Sequence, residues 1–230
     1  MTFSVLTAVA DSVSEETLKN HVNFVQNFFP GKEMVYVFEA TAPDWLKRKT
    51  VSCIEDAGSI GNSLFLGVEI ATSEYIIKLD VGDRLKGCIK TQIQSFAKSE
   101  NIAVVGAIPV IAGHRIRLPK RVSWLHLLLI NPLSHSGVLL KKSKILKIGN
   151  YNRNLSQVED LDLWFRLKKN RYRLVNESDL EVIFDRKIKF RFNEIVDIFK
   201  VRYLHTNLLS FLFFPLNYPI KFIAKALFRA

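Results

Sequence analysis

Residues 67–83 read GVEIATSEYIIKLDVGD, and how this stretch is read decides the fold. Tyr75, Ile76, Ile77 and Leu79 make a short β-prone apolar run, and Asp80 and Asp83 follow at once with Gly82 between them. That is a buried strand with two carboxylates where it stops. In an open α/β sheet, ligands bind beyond the carboxyl ends of the strands. Two acids delivered there imply a divalent cation and a phosphate-bearing ligand. The plainer alternative is that both acids start the next helix, since Asp is favoured at N-caps and in first turns. On these residues alone the plainer reading has the advantage, so the flanking sequence must decide.

Upstream, Phe3–Val9 reads as a strand, and Ser12, Ser14, Glu15 and Glu16 supply helix-start chemistry. Leu18, Val22, Val25, Phe28 and Phe29 keep helical spacing until Pro30-Gly31, and Met34–Phe38 is a second strand. Strand, helix, strand with short links is the βαβ pattern of a parallel sheet. A loop from Glu39 to Lys49 leads to a short strand at Val51–Ile54. Ile60, Leu64 and Val68 then mark a helix among Gly58, Gly61 and Gly67.

Downstream, Leu85–Lys98 is predicted to be one helix and Ile102–Ile111 a strand. A basic loop, HRIRLPKRVSW (114–124), opens into the apolar run WLHLLLI. A strand is expected at His135–Leu140, a turn or helix stop at Gly149-Asn150, and a helix at Glu159–Lys169. Two short strands follow, Tyr172–Val175 and Leu180–Phe184.

The chain of 230 residues is long enough to bury one substantial core, and its 48% hydrophobic content excludes wholesale disorder. The first residues lack the basic start of a signal peptide. Cys53 and Cys88 are too few for a disulfide framework, so a reducing compartment is expected. The net charge of +11 is uneven. Residues 1–110 carry 10 Lys+Arg against 13 Asp+Glu, a net of −3; the remainder carries 23 against 9, a net of +14. Such asymmetry points to an anionic partner for the C-terminal half. From Thr206 to Ile220 no residue is charged, but Pro215 and Pro219 break a stretch shorter than the roughly 20 residues of a spanning helix. Lys221, Lys225 and Arg229 then recur at helical spacing among Phe222, Ile223, Leu227 and Phe228. We expect an amphipathic and apolar helical tail lying on an anionic membrane surface.

No triphosphate-binding glycine loop, GxGxxG, GxSxG elbow or zinc spacing is present. Carboxylate chemistry remains, in three places. Glu39 stands at the end of the second strand, Asp80 and Asp83 at the end of the fourth, and Glu159-Asp160 at the start of a helix. Each has an ordinary explanation, respectively a solvated loop acid, an N-cap and favourable first-turn electrostatics. Their order and separation carry more information than any of them singly.

Three blocks resemble the inverting family 2 glycosyltransferases of GT-A fold. Ser4-Val5-Leu6 is similar to their first strand. DAGSIGNSLFLGVEIATSEYIIKLDVGD (56–83) is similar to their glycine-rich helix and DxDD-ending strand. HSGVLLKKSKILKIGNYN (135–152) and VEDLDLWFRL (158–167) resemble their acceptor-side strand, GxY turn and ED motif. The resemblance covers roughly residues 3–185. It implies a GT-A-like α/β domain at 1–190, with a central, mostly parallel sheet flanked by helices, and a tail at 191–230. It implies transfer of a single sugar from a nucleoside-diphosphate sugar to a hydroxyl of a saccharide or lipid-linked acceptor, in cell-surface polysaccharide synthesis. The processive QxxRW motif is absent.

By the same resemblance, Asp160 is the catalytic base with Glu159 beside it. Ala8, Ala10, Glu39, Asp80 and Asp83 line the donor, and His135 and Trp164 lie on the acceptor side. Asp83 and Asp80 would ligate a manganese or magnesium ion. Two departures stand out. Ala8-Val9-Ala10 replaces the family's P-x-Y, and Gly82 occupies the place of the usual metal-ligating acid. The expected location is cytoplasmic, on the inner face of the cell membrane. The competing readings are a degenerate, non-catalytic relative and a basic nucleic-acid-binding domain; the second lacks any recognised signature.

Overall fold

The computed structural model describes residues 2–49, 51–155, 157–184 and 192–206. Strand β1 (Phe3–Val9) is buried along its whole length and pairs in parallel with β2 (Glu33–Phe38). The crossover between them is helix α1 (Glu15–Phe28), started by Ser14, whose Oγ accepts the backbone N–H of Thr17. After a short helix α2 (Asp44–Lys47), β3 (Ser52–Ile54) adds in parallel to β2. Helix α3 (Ile60–Ile70) returns the chain to β4 (Tyr75–Lys78), which lies parallel to β1 on its other side. Gly61 allows the start of α3 to press on the loop at 152–155, since a Cβ there would stand 2.1 Å from the Leu155 carbonyl oxygen.

The second half is β5 (Arg84–Gly87), α4 (Lys90–Lys98), β6 (Ile102–Ile111), β7 (His114–Arg115), α5 (Trp124–Leu129), β8 (Val138–Lys141), α6 (Lys142–Lys147), α7 (Glu159–Lys169), β9 (Arg173–Phe184) and α8 (Phe192–Thr206). The strands form one sheet in the order β3-β2-β1-β4-β8-β6-β9-β5, with β7 paired to β6. Among the described residues four pairings are parallel and four antiparallel, so the sheet is mixed rather than mostly parallel. The reason lies at the end of β4. The Gly137 N–H donates to the Lys78 carbonyl at 2.8 Å, so β8 begins where β4 ends and must run back along it.

Two further expectations are corrected. Leu85–Lys98 is not one helix, because Arg84–Gly87 is a strand paired with β9 in which Leu85 faces inward and its neighbours face solvent. That period of two was overlooked beside the later helical spacing. The two short strands at 172–184 are one irregular strand, β9, which pairs with β6 on one side and β5 on the other.

Alternate strand residues build two cores. Leu6, Val35, Val37 and Ile76 pack toward α3 and α7, and Val5, Met34, Tyr36 and Ile77 pack toward α1. Covering both faces is what lets the central strands be apolar throughout. Helix α8 docks on α7. The Asp162 carboxylate contacts His205 Nε2 at 2.8 Å and accepts from Arg166 Nε at 2.8 Å, while Phe165 stacks on His205 with 5.1 Å between ring centroids. Arg202, buried, donates from Nε to the Leu127 carbonyl at 3.0 Å, tying α8 to α5. The expected boundary at 190/191 and most of the tail, including Lys221, Lys225 and Arg229, lie outside the described residues. Among the described residues no helix is long and apolar enough to cross a membrane.

Burial alone would raise the Asp162 carboxyl, but His205 and Arg166 hold it below its ordinary value. Its stabilising contribution is therefore full above the unfolded-state value and is lost as pH falls through the folded one. We expect Asp162→Asn to cost about 3–5 kcal/mol in urea unfolding at neutral pH, the range for breaking a buried pair. The difference from wild type should shrink in acid.

Candidate active site

The carboxyl ends of β1, β2 and β4 meet on one side of the sheet, where the sequence placed the donor. The Glu39 N–H donates to the Val9 carbonyl at 3.1 Å, and Glu39 Oε2 accepts the Asp11 N–H at 3.3 Å. The Gly58 N–H closes the group on the Glu39 carbonyl at 2.9 Å. Ala8 is buried and Ala10 half-buried beside this edge. With small side chains there, this end of β1 brings no ring to stack on a base. His21, buried behind β1 and in contact with Thr7 Oγ1 at 3.1 Å, is lowered to about 4 by burial; the charge of Asp80 opposes the shift and that of Arg84 adds to it.

Asp80 follows β4 directly, and its N–H donates to Ser136 Oγ at 3.1 Å. Its Oδ1 lies 2.5 Å from Nζ of Lys78, a lysine only 2% exposed. The same ammonium stands 3.3 Å from His135 Nδ1, and that nitrogen stands 3.4 Å from Glu159 Oε1. Lys78 can only donate and Glu159 only accept, so Nδ1 serves one of them at a time, according to where the imidazole proton sits. His135 Nε2 contacts the Tyr151 hydroxyl at 3.0 Å. Tyr151 is fully buried; its hydroxyl is pushed well above the ordinary value by burial, then by the charges of Glu159, Asp160 and Asp80. The donor-side acid and the helix-start acids thus surround one phenol.

The acid pair heads α7. Val158 precedes it at φ 53°, a left-handed conformation that a β-branched residue adopts at a cost of roughly 1–3 kcal/mol. Glu159 and Asp160 are both 8% exposed, and their environments separate them. Burial would raise Glu159, but the hydrogen bond from His135 and the charges of His135 and Lys78 bring it below the usual range. Asp160 is raised, by burial first and by the charge of Glu159, against the opposing charge of His135. Asp160 Oδ2 accepts from Asn131 Nδ2 at 2.5 Å, and Oδ1 accepts from the Leu161 N–H at 2.7 Å. The two neighbouring carboxyls thus sit in different surroundings, one beside an imidazole and one beside neutral donors.

The structure therefore brings together Asp80, His135, Glu159 and Asp160, and sets Ala8, Ala10 and Glu39 on the adjoining edge. Trp164 is fully buried, with its ring edge-on to His135 at 6.2 Å, so it supports that histidine from the core and has no open face for an acceptor. Asp83 is 1% exposed, and its N–H donates to the Asp80 carbonyl at 3.2 Å. With Asp80 ion-paired to Lys78, Asp83 buried and Gly82 bringing no ligand, these residues do not fit the cation site that was expected. Among the described residues no group of three or more His, Cys, Asp and Glu is arranged to hold a metal ion. Sequence reasoning missed Lys78, Asn131, Ser136 and Tyr151. Lys78 carried a visible signal, because a lysine inside the apolar run YIIKL must find a partner if that run is a buried strand.

No family model matches the chain. It is 24% identical over 200 residues to the amylovoran biosynthesis glycosyltransferase AmsE of Erwinia amylovora, spanning 77% of this chain and 74% of that protein. Among solved structures it is similar to S. aureus TarS. The TM-score is 0.63 at 15% identity, over 90% of this chain and 40% of TarS. Against TarS 1–349 in complex with UDP-GlcNAc the TM-score is 0.64 at 16% identity, over 89% of this chain and 65% of that one. The fold is thus a mixed α/β architecture shared with TarS, and this chain spans less than two thirds of the TarS chains.

Asp160 is raised above its unfolded-state value, so its ionised form is disfavoured by the fold above the folded value and costs nothing below the unfolded one. Asp160→Asn is expected to melt at or above the wild-type temperature at neutral pH, with the advantage vanishing in acid. A clear drop in melting temperature would show that the carboxylate is structural.

Proposed function

We propose that the chain is an inverting glycosyltransferase moving one sugar from a nucleoside-diphosphate sugar to a hydroxyl of a saccharide or lipid-linked acceptor. That it is a transferase enzyme rests on its kinship with AmsE and on its fold. The observation that carries the mechanism is the buried pair Glu159–Asp160 heading α7, with Glu159 Oε1 3.4 Å from His135 Nδ1, a nitrogen that stands 3.3 Å from the ammonium paired with Asp80. Asp160, once ionised, takes the proton of the acceptor hydroxyl as its oxygen attacks the anomeric carbon. The nucleoside diphosphate leaves from the opposite face with the electron pair of the broken bond. Asn131 and the Leu161 N–H fix the direction of the carboxylate, and Glu159 stays charged beside it, which keeps Asp160 basic. A nucleotide-sugar donor is supported by TarS, whose solved complexes include UDP and UDP-GlcNAc. The intact acid pair favours the enzyme over a non-catalytic relative.

The role of AmsE in amylovoran biosynthesis supports a polysaccharide pathway. We also place the protein on the inner face of the membrane, on an anionic lipid surface. In support, α5, which follows the basic loop at 115–121, exposes Trp124 and Leu125, and α8 exposes Leu204. Cosedimentation with anionic vesicles should fall steeply as salt rises, and equal binding to neutral vesicles would refute the charge contribution.

With a nucleoside-diphosphate sugar and acceptor, Asp160→Asn should lower turnover by at least about 10²-fold, the lower end of general-base contributions, and leave donor affinity nearly unchanged. The wild-type rate should rise with pH along a limb centred above the ordinary carboxylate value, because Asp160 must ionise. Near-normal turnover of the Asn variant would refute the base assignment.

A further inference from the structure

We propose that Lys78 is the built-in cation of the donor-diphosphate edge, a positioning residue whose ammonium does the charge balancing that the expected metal would have done. The inference rests on the glycosyltransferase reading and adds a residue that the sequence motifs do not assign. Lys78 ends β4, and strand alternation turns its side chain away from the layer that takes Ile77. A lysine that is 2% exposed is retained only where its charge is paired, since burying an ammonium costs several kcal/mol per ion. Here its Nζ lies 2.5 Å from Asp80 Oδ1 and 3.3 Å from His135 Nδ1, and its charge is among those holding Glu159 ionised.

The second observation is Gly82. Its φ is +89°, and a Cβ there would meet only Thr17 Cγ2, at 4.0 Å. That φ strains any side chain whatever the space, so the backbone itself keeps a carboxylate out of the position two residues after Asp80. The Asp80 carboxylate brings negative charge to the edge where a diphosphate would bind, and the Lys78 ammonium offsets it at 2.5 Å while standing 3.3 Å from His135. Being buried, it acts through Asp80 and His135 and does not touch the donor.

The test measures binding of UDP and GDP to the full chain by calorimetry, in chelator and in manganese, for wild type, Lys78→Met and Lys78→Arg. Free manganese is followed in parallel by electron paramagnetic resonance. Wild type should bind its nucleotide equally well in chelator and take up little manganese alone. Lys78→Met should lose at least tenfold in nucleotide affinity in chelator, recover it with manganese and bind manganese more tightly, because Asp80 is released. Lys78→Arg should behave like wild type. A purely structural role for Lys78 would give a loss that manganese does not repair, and that result overturns the proposal. So does loss of wild-type nucleotide binding in chelator, a measurement that needs no variant to fold. If wild type binds neither nucleotide with or without manganese, the glycosyltransferase reading itself fails, and this proposal with it.

Discussion

Helix α7 begins with three carboxylates in its first turn, Glu159, Asp160 and Asp162, and all three are buried. A helix N-terminus favours negative charge, but by about 1 kcal/mol at most in ordinary settings, far less than burying three anions costs. Each acid must therefore be met by a partner from another part of the chain. Glu159 takes His135, Asp160 takes Asn131, and Asp162 takes Arg166 and His205. Those partners come from the loop before β8, from α7 itself and from α8. Satisfying one turn of helix thus fixes how the loop before β8, α7 and α8 sit together.

The three acids play different parts because their partners differ. Asp162 has two cationic or hydrogen-bonding partners and is locked into the α7–α8 packing. Glu159 shares an imidazole and the reach of a buried ammonium. Asp160 receives only neutral donors, an amide and a backbone N–H, and so keeps a raised proton affinity. Two adjacent residues thereby acquire opposite shifts. The same ammonium also contacts Asp80, so one buried positive charge lies between the acid that follows β4 and the acids that head α7.

How much was legible in the sequence follows from the range of the interactions involved. The first βαβ unit, α3, β4 and α7 were read correctly, because period-2 and period-3.6 patterns and an N-cap serine are local signals. The Arg84–Gly87 strand was missed because its four residues carry a single inward side chain, too weak a pattern beside the helix that follows. The mixed sheet was missed because the direction of β8 is set by a backbone hydrogen bond between Gly137 and Lys78, which no periodicity encodes.

The sequence by itself determined the α/β class and the positions of the acids at strand and helix ends, including the pair Glu159-Asp160. Local propensity and hydrophobic alternation suffice for that. Tertiary structure alone decided which acids share a cluster, that Trp164 and Asp83 are buried, and that Lys78 sits against Asp80. The clustering depends on groups 29 to 57 residues apart, such as Asn131 with Asp160 or Lys78 with His135, meeting at short range in a low dielectric, and the Lys78–Asp80 pair, only two residues apart, is buried by that packing. Electrostatic energy there depends on distance and burial, and a linear chain specifies neither.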